Sequence, residues 1–230
     1  MKPTTLKAIA KVIDHSLLDP SLTDQMMLDG IEVAKKFKVA SVCVKPYFVT
    51  KAVEILEFTG VSVGSVVGFP HGGHRTAVKI MEGHQAIQNG AQELDMVVNI
   101  GKVLSPDWLY VETDIRALVN LCKSNQVVSK VIFENCYLTN DLKVKLCQLC
   151  QKLGADFVKT STGFGPYGAT PEDVKLMAAN VTPPVGVKAA GGIKTLDQLL
   201  EFVELGATRI GTSSTAAIMA EAAQRFKNHS

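Results

Sequence analysis

Phe157-Val158-Lys159-Thr160-Ser161-Thr162-Gly163 is a short apolar run that carries one lysine to its end and then breaks into hydroxyl residues and glycine. Such a run reads as a buried parallel strand opening into a loop. Burial disfavours the ammonium form, so a lysine is seldom placed there without a use. Pro184-Val185-Gly186-Val187-Lys188-Ala189-Ala190-Gly191-Gly192 repeats the form one expected helix later. Two strand-end ammonium groups about 6 Å apart repel by roughly 3 kcal/mol at an effective dielectric of about 20, or about two pKa units. One of the two can then be neutral. A neutral amine attacks a carbonyl to give a carbinolamine and then a protonated imine, an electron sink for breaking the neighbouring carbon–carbon bond. Lys159 is read as that nucleophile and Lys188 as its charged neighbour.

Asp95 completes the reactive set, an acid inside the otherwise apolar run Glu93-Leu94-Asp95-Met96-Val97-Val98. Ionised beside two cations, it could move protons through a water during carbinolamine and enamine steps. The competing reading is structural: one lysine reaches solvent and the other forms a buried salt bridge with Asp95. Gly191-Gly192 and Gly211-Thr212-Ser213-Ser214 offer backbone N–H groups, and the second also hydroxyls, ahead of an expected helix, which suits a phosphate. Either motif alone is an ordinary turn, and it is their joint position that carries weight.

Other candidates are weaker. His71-Gly72-Gly73-His74 has no further ligand at metal spacing, so a rim loop explains it as well. His15, beside Asp14, is read as a packed strand residue, while His84 falls in a helix and His229 in the tail. No metal and no organic cofactor is expected. The five cysteines are an odd number scattered through periodic segments, and Cys147-Gln148-Leu149-Cys150 sits within a helical pattern, so reduced thiols are expected. Cys43, lacking a His and carboxylate partner, is read as a pocket-lining thiol open to modification by aldehydes.

These residues need strands to hold them, and the chain supplies eight. Expected strands are 12–18, 39–44, 61–67, 93–98, 129–134 (with Lys130 and Glu134 at its two ends), the Lys159 run, the Lys188 run and 209–212. Each is followed by a helical pattern, the clearest being 23–37 behind the N-cap Thr23, 76–89, 108–125, 138–153, the Thr170-Pro171-Glu172-Asp173 start, 195–205 and 214–226. Asn89-Gly90-Ala91, Leu153-Gly154-Ala155 and Leu205-Gly206-Ala207 recur between a helix and a strand, with glycine supplying the left-handed turn. Strict alternation in this length predicts an α/β fold, a (βα)8 TIM barrel, as a single domain over 1–230 with a short N-terminal lead-in. An open doubly wound sheet is disfavoured, because no Gly-x-Gly-x-x-Gly follows the first strand. Barrel active sites lie where strands end, and Asp14, Cys43, Asp95, Lys159 and Lys188 all fall near that rim.

The chain has 230 residues, 47% hydrophobic, with a net charge of +2 and no terminal run of one sign, which gives no support to nucleic-acid or membrane-surface binding. The first residues lack the apolar stretch of a signal peptide and no run is long enough to span a bilayer, so a cytoplasmic protein is expected.

With these motifs in view, the sequence resembles the deoxyribose-phosphate aldolases, a class I aldolase family, along nearly its whole length. The stretches that carry the likeness are Asp14 to Leu18, Ser41 to Val44, Gly68 to Pro70, Glu93 to Asn99, Val158 to Phe164, Val187 to Ile193 and Gly211 to Ser214. The resemblance implies a barrel that reversibly cleaves 2-deoxy-D-ribose 5-phosphate to glyceraldehyde 3-phosphate and acetaldehyde without a cofactor. It implies Lys159 as the Schiff-base lysine, Lys188 as the group lowering its pKa, and Asp95 as the proton relay. It sets the sugar phosphate at Gly163, Gly191, Gly192, Ser213 and Ser214, with Asp14 and Ser16 near the substrate, and it implies a homodimer or homotetramer. Lys45, Asn135 and Tyr167 depart from the family pattern at the rim, where they bear on loop conformation and acceptor preference. Two other functions fit the same motifs: another phosphate-binding barrel (a different Schiff-base aldolase or an epimerase), or a catalytically idle sugar-phosphate sensor.

Overall fold

The computed structural model describes residues 3–226, so His229 lies outside the described residues. Eight parallel strands close into a barrel in sequence order: β1 (Ile13–Leu17), β2 (Ser41–Val44), β3 (Ser62–Val67), β4 (Glu93–Val97), β5 (Val128–Ile132), β6 (Phe157–Lys159), β7 (Gly186–Ala190) and β8 (Arg209–Thr212). Around them run α1 (Leu6–Ala10), α2 (Asp24–Phe37), α3 (Val49–Leu56), α4 (Thr76–Gln88), α5 (Ile100–Leu104), α6 (Trp108–Ser124), α7 (Asn140–Leu153), α8 (Pro171–Ala179), α9 (Leu196–Glu204) and α10 (Thr215–Phe226). The (βα)8 expectation holds, with α1, α5 and two 3-10 turns at 46–48 and 135–137 added to it.

Local chemistry sets the boundaries. Thr23, Thr170 and Thr195 each accept a backbone N–H at a helix start, from Met26, Asp173 and Gln198, and Gln198 completes a capping box. Gly90, Gly154 and Gly206 take φ of 96°, 73° and 110°, as the recurring Gly-Ala step requires. The following Ala91, Ala155 and Ala207 are buried and donate back to the helix they leave.

Most strands are shorter than expected by one or two residues, and at β5 the difference matters. β5 ends at Ile132, not at Glu134, because Glu134 takes a left-handed φ of 56° and turns the chain out of the sheet. The strand also begins at Val128, so Lys130 is its third residue and sits in the barrel, not at its edge.

Alternation along the strands divides the molecule into two chemistries. Outward-facing residues such as Val42, Leu94, Met96, Val131, Val158 and Ile210 join the helices in one apolar core. The inward set is charged, and includes Asp14, Glu93, Asp95, Lys130, Lys159 and Lys188, all buried. Barrels of this kind usually fill the interior with branched aliphatic side chains, so the charges ask for a purpose. A second buried ion pair lies in the helical layer, where Lys79 of α4 donates to Asp114 of α6 at 2.6 Å and to the Val97 carbonyl at 2.8 Å. Gly68, at φ 61°, leaves room for that lysine: a Cβ there would stand 2.7 Å from Lys79 Cε.

Candidate active site

Parallel pairing of β6 with β7 sets Lys159 directly opposite Lys188. Lys159 Nζ and Lys188 Nζ both donate to Oδ2 of Asp95, each at 2.7 Å. The two nitrogens are thus no farther apart than twice that distance. The ion pair with Asp95 that the structural alternative required is present, and it engages both lysines instead of one.

The two lysines nevertheless differ. Burial, first, and the Lys188 charge, second among the causes that lower it, hold the Lys159 proton affinity below that of a free lysine, although Asp95 opposes them. The sequence points to both burial and the neighbouring lysine, and burial is the larger cause. Lys188 goes the other way. Burial alone would lower it, but Asp14, with Oδ2 at 2.6 Å, and Asp95 raise it above the ordinary lysine value. The two shifts run in opposite directions, so Lys159 is the less basic of the pair and Lys188 the more basic.

Asp14, expected near the substrate, is fully buried beneath the site and pairs with Lys188 and with the Arg209 guanidinium at 2.6 Å. Burial would raise its pKa, but Lys130, Lys188 and Arg209 together hold it well below the usual carboxylate range. Asp95 is held low by the same kind of surroundings, its Oδ1 accepting from Lys130 at 2.7 Å. Lys130, named only as a strand end, and Arg209 were given no role from the sequence. Each stands alone at a strand position with no spacing motif, and the only available signal was a cation inside or beside an apolar run.

A cavity of about 660 Å³ opens above this network. Lys159 lies at its floor, and Ser16, Gly163, Gly191, Gly192, Ser213 and Ser214 are on its wall with Lys194. The glycines pack backbone on backbone. A Cβ on Gly191, which has φ 88°, would stand 2.8 Å from Gly168 Cα, and one on Gly168 would stand 2.2 Å from the Gly191 carbonyl oxygen. Ala169 donates to the carbonyls of Ala190 and Gly191, tying the loop after β6 to the end of β7. The cavity also runs outward over β1 to one face of α2, reaching Met26, Gly30 and Val33, an extension that sequence reasoning did not find.

Cys43 does not line this cavity, contrary to expectation. It is 1% exposed, packs with Leu18, Val66 and Phe69, and burial pushes its thiol up to about 11. The inward pleat of β2 brought it toward the lysines, and the apolar cluster then closed over it. Glu134, also not assigned a role, is buried and accepts from the backbone N–H of Thr162 at 3.2 Å and from the Thr162 hydroxyl. It fixes the first turn of the loop beyond Lys159. His71 lines a smaller cavity of about 250 Å³ with Glu134 and Tyr137, and among the described residues no three His, Cys, Asp or Glu side chains gather as metal ligands.

The model of the DeoC/LacD aldolases matches residues 8–220. The chain belongs to the DeoC/LacD aldolase family. A protein of Rhodopirellula baltica named deoxyribose-phosphate aldolase is 48% identical over 218 residues, covering 95% of this chain and 90% of the relative. One of Streptococcus sanguinis with the same name is 50% identical over 209 residues, covering 91% and 94%. A solved structure from Aeropyrum pernix, described as a tetrameric deoxyribose phosphate aldolase, superposes with a TM-score of 0.88 at 32% identity, covering 95% of this chain and 92% of that one. The aldolase family thus accounts for the barrel and for nearly all of its length. Among the described residues no helix is long and apolar enough to cross a membrane.

Proposed function

We propose that this member of the family is a deoxyribose-phosphate aldolase, an aldehyde-lyase that reversibly cleaves 2-deoxy-D-ribose 5-phosphate to D-glyceraldehyde 3-phosphate and acetaldehyde. The observation that carries the proposal is the pair of strand-end lysines on one carboxylate, one depressed and one elevated in proton affinity, with the depressed one, Lys159, lining a cavity walled by glycines and serines.

In the proposed cycle the neutral Lys159 amine adds to C1 of the open-chain sugar. The carbinolamine loses water to give a protonated imine on Lys159. The C3 hydroxyl gives up its proton, the C2–C3 bond breaks, and its electron pair passes into the iminium to form an enamine, while C3 leaves as the aldehyde of glyceraldehyde 3-phosphate. Protonation of the enamine at C2 and hydrolysis of the imine release acetaldehyde and regenerate the amine. Asp95, whose Oδ2 already spans both lysines, is assigned the proton transfers, by way of a water molecule, and Lys188 the role of a fixed positive charge. The substrate phosphate is assigned to Gly163, Gly191, Gly192, Ser213 and Ser214, supported by their common place on the cavity wall and by the start of α10 at Thr215.

Neither a cofactor nor a metal has a part in this cycle. A homodimer or homotetramer, acting in the cytoplasm, is the proposed working form; the Aeropyrum pernix relative is described as tetrameric. Incubation with 2-deoxy-D-ribose 5-phosphate, with the triose product read by a coupled dehydrogenase, tests the assignment. Turnover is expected, and absence of triose phosphate from folded protein would reject it in favour of a sensor or an epimerase.

A further inference from the structure

Lys159 belongs to a larger set of buried and partly buried charges than the three groups used above. Besides Lys159 and Lys188, the barrel holds Lys130, whose Nζ stands 2.7 Å from Asp95 and 2.5 Å from Glu93. Arg209 opens β8 and donates at 2.8 Å to both oxygens of Glu93, which opens β4. Asp14 links this lower tier to Lys188. Three carboxylates therefore face four cations, and with Lys130, Lys188 and Arg209 charged the carboxylates are already matched. A proton on Lys159 would leave one uncompensated positive charge in a low-dielectric interior, which is costly.

The remaining titratable neighbours do not change the count. Cys43 stays a neutral thiol with its pKa pushed up to about 11, and Glu134, at the rim after β5, is engaged with Thr162. The shifts run the same way: Lys130, Lys188 and Arg209 are all raised, and Lys159 is lowered.

We propose that Glu93 and Arg209, which do not line the cavity, are positioning residues for the reaction: together they keep the barrel interior electrically neutral when Lys159 carries no proton. The proposal rests on Lys159 as the imine-forming group. Because the two residues are of opposite sign, losing either one moves Lys159 in the opposite direction from losing the other. Arg209 is paired in register with Lys188, which is paired with Lys159, so two strand spacings, roughly 10 Å, separate them. At an effective dielectric of about 20, one charge at that range shifts a titration by about one pH unit.

The test measures the rate of borohydride trapping of acetaldehyde on Lys159 as a function of pH, a readout free of any substrate phosphate. Glu93→Gln, which is isosteric, should move the acid limb lower, and Arg209→Gln about one unit higher. The double variant should return it to the wild-type position, as should Arg209→Lys, which keeps the charge. If Arg209→Gln does not fold, Glu93→Gln and Arg209→Lys decide the matter. A folded Glu93→Gln whose rate falls equally at every pH, or single variants that both move the limb in one direction, would overturn the proposal and leave the aldolase assignment intact. A wild-type protein that traps nothing on Lys159 would overturn both.

Discussion

Lys159 and Lys188 are register partners on adjacent parallel strands, and both donate to the same oxygen of Asp95 at 2.7 Å. Equal distances do not make them equal groups. Lys188 has a second carboxylate, Asp14, while Lys159, among the described residues, is paired with Asp95 alone and sits at the cavity. That asymmetry sets the two proton affinities apart, as the proposed division into a nucleophile and a fixed charge requires.

Replacing Lys188 should expose the division. In Lys188→Leu the positive neighbour is gone, so the Lys159 proton is held more tightly and the acid limb of turnover moves to higher pH. Asp14 and Asp95 also lose a buried partner, at a cost of about 3–5 kcal/mol of stability. PH profiles and urea melts read the two effects separately, and an unchanged profile would contradict the electrostatic role.

Gly191→Ala should act on binding. The new methyl must occupy a left-handed backbone and press on Gly168, a strain of order 1–3 kcal/mol. We expect KM for the phosphorylated sugar to rise about tenfold or more, with a smaller loss for unphosphorylated 2-deoxyribose. Equal losses for the two sugars would place the phosphate elsewhere.

His15 gives the fold an acid sensitivity. Its ring is buried, with Nδ1 at 2.8 Å from the Thr215 hydroxyl, and desolvation lowers its pKa from 6.5 to about 4. The unfolded chain therefore binds the proton more tightly, so this contribution is present above pH 6.5 and is lost as pH falls toward 4. The gap corresponds to about 3 kcal/mol. Urea midpoints across that range should fall steeply for wild type and less steeply for His15→Gln; identical slopes would remove His15 from the account of acid lability.

Much of this was legible in the chain. Eight apolar runs alternating with capped helices yield the barrel, and Lys159, Lys188 and Asp95 announce themselves as charges inside such runs. The lower tier was not legible. Glu93 and Arg209 stand at the starts of their strands, where a charge is ordinary, and only barrel closure turns them toward each other. Cys43 shows the opposite failure: period two correctly pointed it inward, but nothing local reveals that Leu18, Val66 and Phe69 cover it. Glu134 was missed as a loop clamp because its left-handed backbone has no sequence mark of the kind glycine leaves.

The cysteines should respond to alkylation by exposure. Cys43, Cys122, Cys147 and Cys150 are buried and Cys136 is partly exposed, with burial raising all five thiols. Iodoacetamide on folded protein should label Cys136 first, at least about tenfold faster than Cys43. Prior labelling of Cys43, read by peptide mass mapping, would mean that the apolar cluster opens readily.

The most direct measurement is borohydride reduction in the presence of acetaldehyde, followed by peptide mass mapping. Reduction of the imine should add one ethyl group to Lys159, and the Lys159→Leu protein should gain none and lose turnover by at least ~10⁴-fold. Labelling at Lys188 in place of Lys159, or full activity in Lys159→Leu, would contradict the imine mechanism at its first step.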